Sequence, residues 1–176
     1  MSDPVNHAER AIVWVAQGFG IGRIPKAPGT WGSVLGIAWT GLLLLPQSLP
    51  AYLLGSACGV LLSVWLCGRA ERILQQHDPG SIVLDEIIAL PFCFLPWVLW
   101  ILKSRGSVPL PMELLSYWNG GLCLAGFALF RLFDIWKPWP VRQSQRFDGG
   151  LGVTLDDLLA AVYAALVLVG LMWWVG

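Results

Sequence analysis

Asp85 and Glu86 stand side by side at the start of an uncharged run, and Asp156 and Asp157 repeat the arrangement at the start of another. Between them in the chain, Arg131, Asp134 and Lys137 follow at intervals of three, so a helix would carry them as one stripe at the end of a third uncharged run. Carboxylates at the mouth of an apolar run are expensive in a membrane and usually persist because they pair or serve function. Five of them brought together would repel one another unless cations neutralised them, which points to a hard divalent cation with oxygen ligands. Arg131 and Lys137 beside Asp134 suit two roles: a plain ion-pair stripe, or a clamp on phosphate oxygens next to a metal ligand.

A further polar segment, Gly18 to Ser33, alternates five glycines with Pro25 and Pro28. Glycine lets backbone N–H groups approach an anion closely, and Thr30 or Ser33 is expected to cap the helix that follows, whose N-terminus favours phosphate. Arg23 and Lys26 add charge there. Read alone, the segment is equally a turn-rich loop leading into a membrane. In His77 to Glu86, Asp78-Pro79-Gly80-Ser81 reads as a turn stabilised by Asp78. His77 could serve as a base near neutral pH, and the plainer reading is a solvated residue at a helix end.

The elements that must position these groups are the uncharged runs. Ala27 to Gly68 holds 42 residues without a charge, enough for two spanning helices, and Pro46 to Pro50 breaks it as a tight hairpin would. Ile87 to Leu102, Leu114 to Phe130 and Leu158 to Gly176 follow, with 16, 17 and 19 residues. Pro91 and Pro96 predict a kink or tilt in the first of these. Trp97, Trp100, Trp118, Trp136, Trp139, Trp173 and Trp174 lie near the proposed span ends, where aromatic belts form. The expected fold is all-α: one membrane domain over residues 1–176 with about four to five spanning helices. A short interfacial helix should precede them, capped by Ser2 or Asp3, with Pro4 in its first turn, and running to about Gln17.

Composition agrees. Hydrophobic residues make up 56% and charged residues 12%, about half the charged share of a soluble domain. Net charge is zero, which gives no argument for nucleic-acid binding. Cys58, Cys67, Cys93 and Cys123 all sit in apolar runs without metal-ligand spacing and read as free thiols. No secretory leader is apparent, since Asp3 and Glu9 precede any apolar stretch. With the N-terminus inside, nine of the eleven basic residues fall on the inner side, leaving Lys103 and Arg105 outside. The positive-inside rule then predicts a multi-pass protein whose polar face is cytoplasmic.

Four segments carry a resemblance: GFGIGRIPKAPGTWGS from Gly18, HDPGSIVLDE from His77, FRLFDIWKPWP from Phe130 and GGLGVTLDD from Gly149. In this order and spacing they resemble the phosphatidylglycerophosphatase A family, over nearly the whole chain. The resemblance implies a bacterial inner-membrane, Mg²⁺-dependent phosphatase that removes the terminal phosphate of phosphatidylglycerophosphate, its partner being the phospholipid in the bilayer. The acidic positions that match are Asp78, Asp85, Glu86, Asp134, Asp156 and Asp157. The phosphate-loop and basic positions that match are Gly29, Thr30, Ser33, Arg131 and Lys137. Lys26 departs from the pattern and is taken as auxiliary.

The chain carries no Cys-x5-Arg loop, no DxDx[TV] motif and no paired-histidine signature, so a phosphoenzyme is not suggested. The expected mechanism is in-line attack by metal-activated water. Asp85, Glu86, Asp156 and Asp157 would hold Mg²⁺, Asp134 would ligate or act as base, and Arg131 and Lys137 would bind phosphate oxygens. The rival reading is a membrane transporter or ion-conducting protein using the same interface carboxylates.

Overall fold

The uncharged runs carry strong helix formers and no net amphipathic stripe, which is how helices apolar on all sides read when lipid or other helices surround them. The computed structural model describes residues 6–144 and 146–175, apart from the side chains of Tyr117, Trp118 and Val175. Five long helices form in the expected order: α2 (Pro28–Leu44), α3 (Leu49–Leu74), α4 (Leu84–Arg105), α5 (Tyr117–Trp136) and α7 (Gly150–Val175). Two short ones accompany them, α1 (His7–Ala16) and α6 (Val141–Ser144), with 3-10 turns at Ile21–Arg23 and Pro111–Leu115. The described residues contain no strand.

Three of the long helices, Leu49–Leu74, Leu84–Arg105 and Gly150–Trp174, are long and apolar enough to cross a membrane. The expected four to five spans is thus an approximate count. At 17 residues α2 reaches only about 25 Å, short of the ~30 Å hydrocarbon core. Helix α5 holds Arg131 and Asp134 in its last two turns.

Helix α4 lies at the centre, packed against α2, α3, α5 and α7. It runs unbroken through Pro91 and Pro96, and the Tyr52 hydroxyl donates to the Pro91 carbonyl at 2.7 Å. Buried Leu90, Phe94, Trp97 and Val98 form the core with Phe130 and Leu168 from the neighbouring helices. Outward faces are apolar too: Leu54, Leu61, Trp65 and Leu166 are all more than half exposed. The α2–α3 hairpin closes as expected, with Ser48 capping α3 by accepting from the Ala51 N–H.

Several local expectations are corrected. The cap of α1 is Asn6, in a reciprocal capping box with Glu9, and its first helical residue is His7; the proposed caps at Ser2 or Asp3 lie outside the described residues. Neither Thr30 nor Ser33 caps α2. That helix begins two to five residues earlier, on Pro28 at its first position, with Ala27 in the left-handed region (φ 49°) before it. Trp97 belongs to no aromatic belt: it is 3% exposed and donates from Nε1 to Asn119 Oδ1 at 3.2 Å. Trp136, Trp139, Trp173 and Trp174 are exposed near helix ends, as a belt requires.

Candidate active site

Helix direction alternates, so the ends that begin α2, α4 and α7 meet the ends that finish α3 and α5. The acids arrive by local position. Asp85 and Glu86 occupy the first turn of α4, where the N-terminal dipole favours negative charge. Asp156 and Asp157 lie in the second turn of α7, Arg131 and Asp134 in the last turns of α5, and Lys137 ends α5 in the left-handed conformation (φ 48°).

Three helices are tied by two cations. The Arg131 Nη1 donates to Asp134 Oδ2 at 2.7 Å on its own helix and lies 3.2 Å from Glu86 Oε1 on α4. The Lys137 Nζ donates to Asp156 Oδ2 on α7 at 2.5 Å. Burial works against the Lys137 ammonium, but Asp156, with Asp134 and Asp157 further off, outweighs it and raises the lysine above its usual value. Asp157 is 3% exposed and within electrostatic reach of Asp85, Asp134, Glu86 and Asp156.

Helix α2 closes this arrangement with glycine. A Cβ on Gly29 would lie 2.0 Å from Glu86 Oε1 and 2.9 Å from Arg131 Nη1, and one on Gly32 would lie 2.7 Å from Glu86 Oε2. These two positions let α2 sit directly on the Glu86–Arg131 pair. Thr30 is half-buried on the same turn. Ser33 is buried, and its hydroxyl donates to the Gly29 carbonyl at 2.9 Å, within its own helix.

The polar loops are braced from below. Gln17 is buried, accepts from Arg23 Nε at 2.7 Å and donates to Ser81 Oγ at 3.2 Å, joining the first polar segment to the second. The Val83 N–H donates to the Ala16 carbonyl. Phe19, Ala27, Asp78 and Lys137, none of them glycine, all take positive φ in these segments. Such conformations cost roughly 1–3 kcal/mol each and cluster at functional sites.

Glu71 is the residue that sequence reasoning missed. It is buried at the polar end of α3, where Oε1 accepts from the Asp78 N–H at 2.7 Å and lies 3.0 Å from His77 Nδ1. Arg69 and Arg72 flank it, and nothing local in the sequence marks it as buried. His77, read as solvated, is 63% exposed but anchored.

For a metal, the donor set and the packing speak differently. Asp85 Oδ1 and Glu86 Oε2 are buried without a hydrogen-bond partner, which ordinarily costs about 1–3 kcal/mol per group. Unpartnered carboxylate oxygens amid surplus acids fit a hard cation. Yet among the described residues no three His, Cys, Asp or Glu side chains are gathered as a metal-binding group, and Arg131 and Lys137 hold Glu86, Asp134 and Asp156 in ion pairs.

Fold and site together define a helical membrane protein whose acids and cations meet at one end of the bundle, chemistry suited to a phosphate. A sequence profile of the phosphatidylglycerophosphatase A family matches residues 14–172. A phosphatidylglycerophosphatase A from Haemophilus influenzae is 37% identical over 161 residues, covering 91% of this chain and 88% of its own. One from Escherichia coli is 37% identical over 164 residues, covering 92% and 81%. A Bacteroides thetaiotaomicron protein, provisionally named a phosphatidylinositol-3-phosphatase, is 36% identical over 170 residues, covering 93% and 95%. No solved structure matches the chain. The chain belongs to the phosphatidylglycerophosphatase A family and is a phosphatase of bacterial-membrane type.

Proposed function

We propose that the chain hydrolyses phosphatidylglycerophosphate to phosphatidylglycerol and inorganic phosphate, at the cytoplasmic face of a bacterial inner membrane and with Mg²⁺. The observation that carries this reading is the meeting of α2, α4, α5 and α7 around Glu86, Arg131, Asp134, Lys137 and Asp156, in a chain whose family acts on lipid phosphate. The basic residues support the cytoplasmic face by the positive-inside rule.

In the reaction the bond between phosphorus and the glycerol oxygen breaks and one to a water oxygen forms. The water gives up a proton, and the departing glycerol oxygen takes one. Arg131 and Lys137 bind phosphate oxygens: the Arg131 Nε is buried without a partner, and the Lys137 ammonium has donors beyond the one on Asp156. Asp134 accepts the proton from water. Asp85, Glu86, Asp156 and Asp157 would hold Mg²⁺, which would supply charge neutralisation at the phosphate and lower the pKa of water. Burial of Asp85, Asp156 and Asp157 keeps bulk water from competing for the same groups.

The test is phosphate release by detergent-purified protein from phosphatidylglycerophosphate, with Mg²⁺ and with a chelator, and phosphatidylinositol 3-phosphate as second substrate. Release from the first lipid that stops with chelator is the expected result. Chelator-insensitive release would remove the metal from this reading. Preference for the inositol lipid would change the substrate. Silence on both lipids from folded protein would return the transport reading.

A further inference from the structure

His77 takes no part in the hydrolysis just described, yet it is held as a site residue is held. Glu71, 7% exposed, directs one carboxylate oxygen to both the His77 ring and the Asp78 N–H. A buried carboxylate is stable only with such donors, so its position dictates that of the ring. Anchored through Nδ1, the imidazole presents Nε2 away from Glu71.

Two cavities share this ring. The smaller, about 160 Å³, is bounded by His77, Asp78, Gly152 and Val153. Gly152 and Val153 precede Asp156 and Asp157 by four residues, so they share the face of α7 that carries the acids, one turn or about 5.4 Å away. The larger is a cleft of about 730 Å³ between the C-terminal half of α3 and the loop into α7, lined in part by Trp65, Gly68, Arg72, His77, Asp148 and Leu151. One end is apolar and faces outward, with Trp65 and Leu151 about half exposed; the other end is charged. Its floor is the crossing of α3 and α7 at Gly68 and Gly150, and a Cβ on Gly149 (φ +71°) would meet Glu71 Oε2 at 4.0 Å.

The lipid of the proposed function carries two phosphates, a terminal monoester and an internal phosphodiester one glycerol away, and needs a second cationic contact at roughly that spacing. We infer that the cleft holds the lipid substrate, with an acyl chain along Trp65 and Leu151 and the internal phosphodiester under His77 and Arg72. The terminal phosphate then reaches past Gly152 to Asp156 and Asp157. This rests on the hydrolysis reading and adds to it the basis of selectivity: the site distinguishes a lipid with a phosphodiester from one with a monoester alone.

The groups facing His77 are Glu71 and Arg72 from α3, Asp78 on its own turn and Asp148 from the loop before α7. The Glu71 hydrogen bond, followed by its charge, raises the His77 pKa, so the ring stays cationic to higher pH than free histidine. Arg72 adds a permanent charge, its Nε fixed on the Gly68 carbonyl at 3.0 Å. Asp148 opposes an anion, and its neutralisation should tighten binding.

The test uses the full-length protein in detergent and two short-chain lipids, dihexanoyl phosphatidylglycerol (diester only) and dihexanoyl phosphatidic acid (monoester only), with binding measured by calorimetry. His77→Gln should weaken the first roughly tenfold, the effect of one charge-assisted contact, and leave the second within about twofold. Asp148→Asn should tighten the first. His77→Lys should keep the affinity and abolish its decline as pH rises above the usual histidine range. In turnover, His77→Gln should raise KM for phosphatidylglycerophosphate more than it lowers kcat. Arg72→Gln, at an exposed position, is the second variant if His77→Gln does not fold. Equal affinity of wild type and variants for the diester lipid, or equal loss for both lipids, would overturn the cleft assignment. Wild type that binds the diester lipid through His77 but releases no phosphate would sink the hydrolysis reading instead.

Discussion

Arg131 is shared by two carboxylates through a single nitrogen, with Glu86 on one side and Asp134 on the other. Lysine could replace its charge but not its planar set of donors, so Arg131→Lys should lower turnover by about tenfold or more in phosphate-release assays. Asp85→Asn and Asp157→Asn should each reduce it by at least about 100-fold while circular dichroism stays helical. Near-normal turnover in folded protein would remove those residues from the site. His77 gives a pH effect on stability whose sign follows from its raised pKa. The Glu71–His77 contribution is full below the unfolded value near 6.5 and is lost as pH rises through the higher folded value. Thermal unfolding of wild type should therefore weaken slightly over that window relative to His77→Gln, the effect being small because the ring is 63% exposed. At this scale the acidic doublets and the Arg131–Asp134–Lys137 stripe were legible in the chain, since charge next to an apolar run is conspicuous. Glu71 was not, because its role depends on burial, and nothing in the RAER sequence around it announces burial.

At the level of elements, a very tight contact lies where α3 crosses α7. A Cβ on Gly150 would lie 2.0 Å from the Val64 carbonyl oxygen and 2.5 Å from the Gly68 nitrogen, both backbone atoms that cannot swing aside. Gly150→Ala should therefore separate the helices, destabilising the protein by about 1–3 kcal/mol and lowering Tm in detergent. Beside it, the Ser63 and Thr154 hydroxyls meet at 3.0 Å, the kind of polar contact that joins helices in lipid. Helix existence and order could be read from the uncharged runs, and the hairpin at Pro46–Pro50 from its prolines. Helix beginnings were harder. Thr30 and Ser33 are good capping residues by type, but Pro28 starts α2 before either, and packing of Gly29 and Gly32 on Glu86 sets how α2 lies.

For the whole molecule, the alternation of five long helices gathers the polar segments that carry the candidate site at one end, and the basic residues predict that this end is cytoplasmic. Labelling with a membrane-impermeant maleimide checks it. After Cys58→Ser, a cysteine at Ser104 should react in intact spheroplasts, and one at Arg142 only after lysis; the reverse pattern would invert the topology. Apolar composition, helical class and the convergence of acids at one end follow from the chain alone, because a run without charge must sit in lipid or in a core, and its charged flanks must then lie at its ends. Which acid pairs with which cation was left to tertiary structure. Glu86 and Arg131 are 45 residues apart, and Lys137 and Asp156 are 19 apart. Their meeting depends on how deeply α2, α4, α5 and α7 pack, which is decided by glycines whose importance shows only when another helix lies against them.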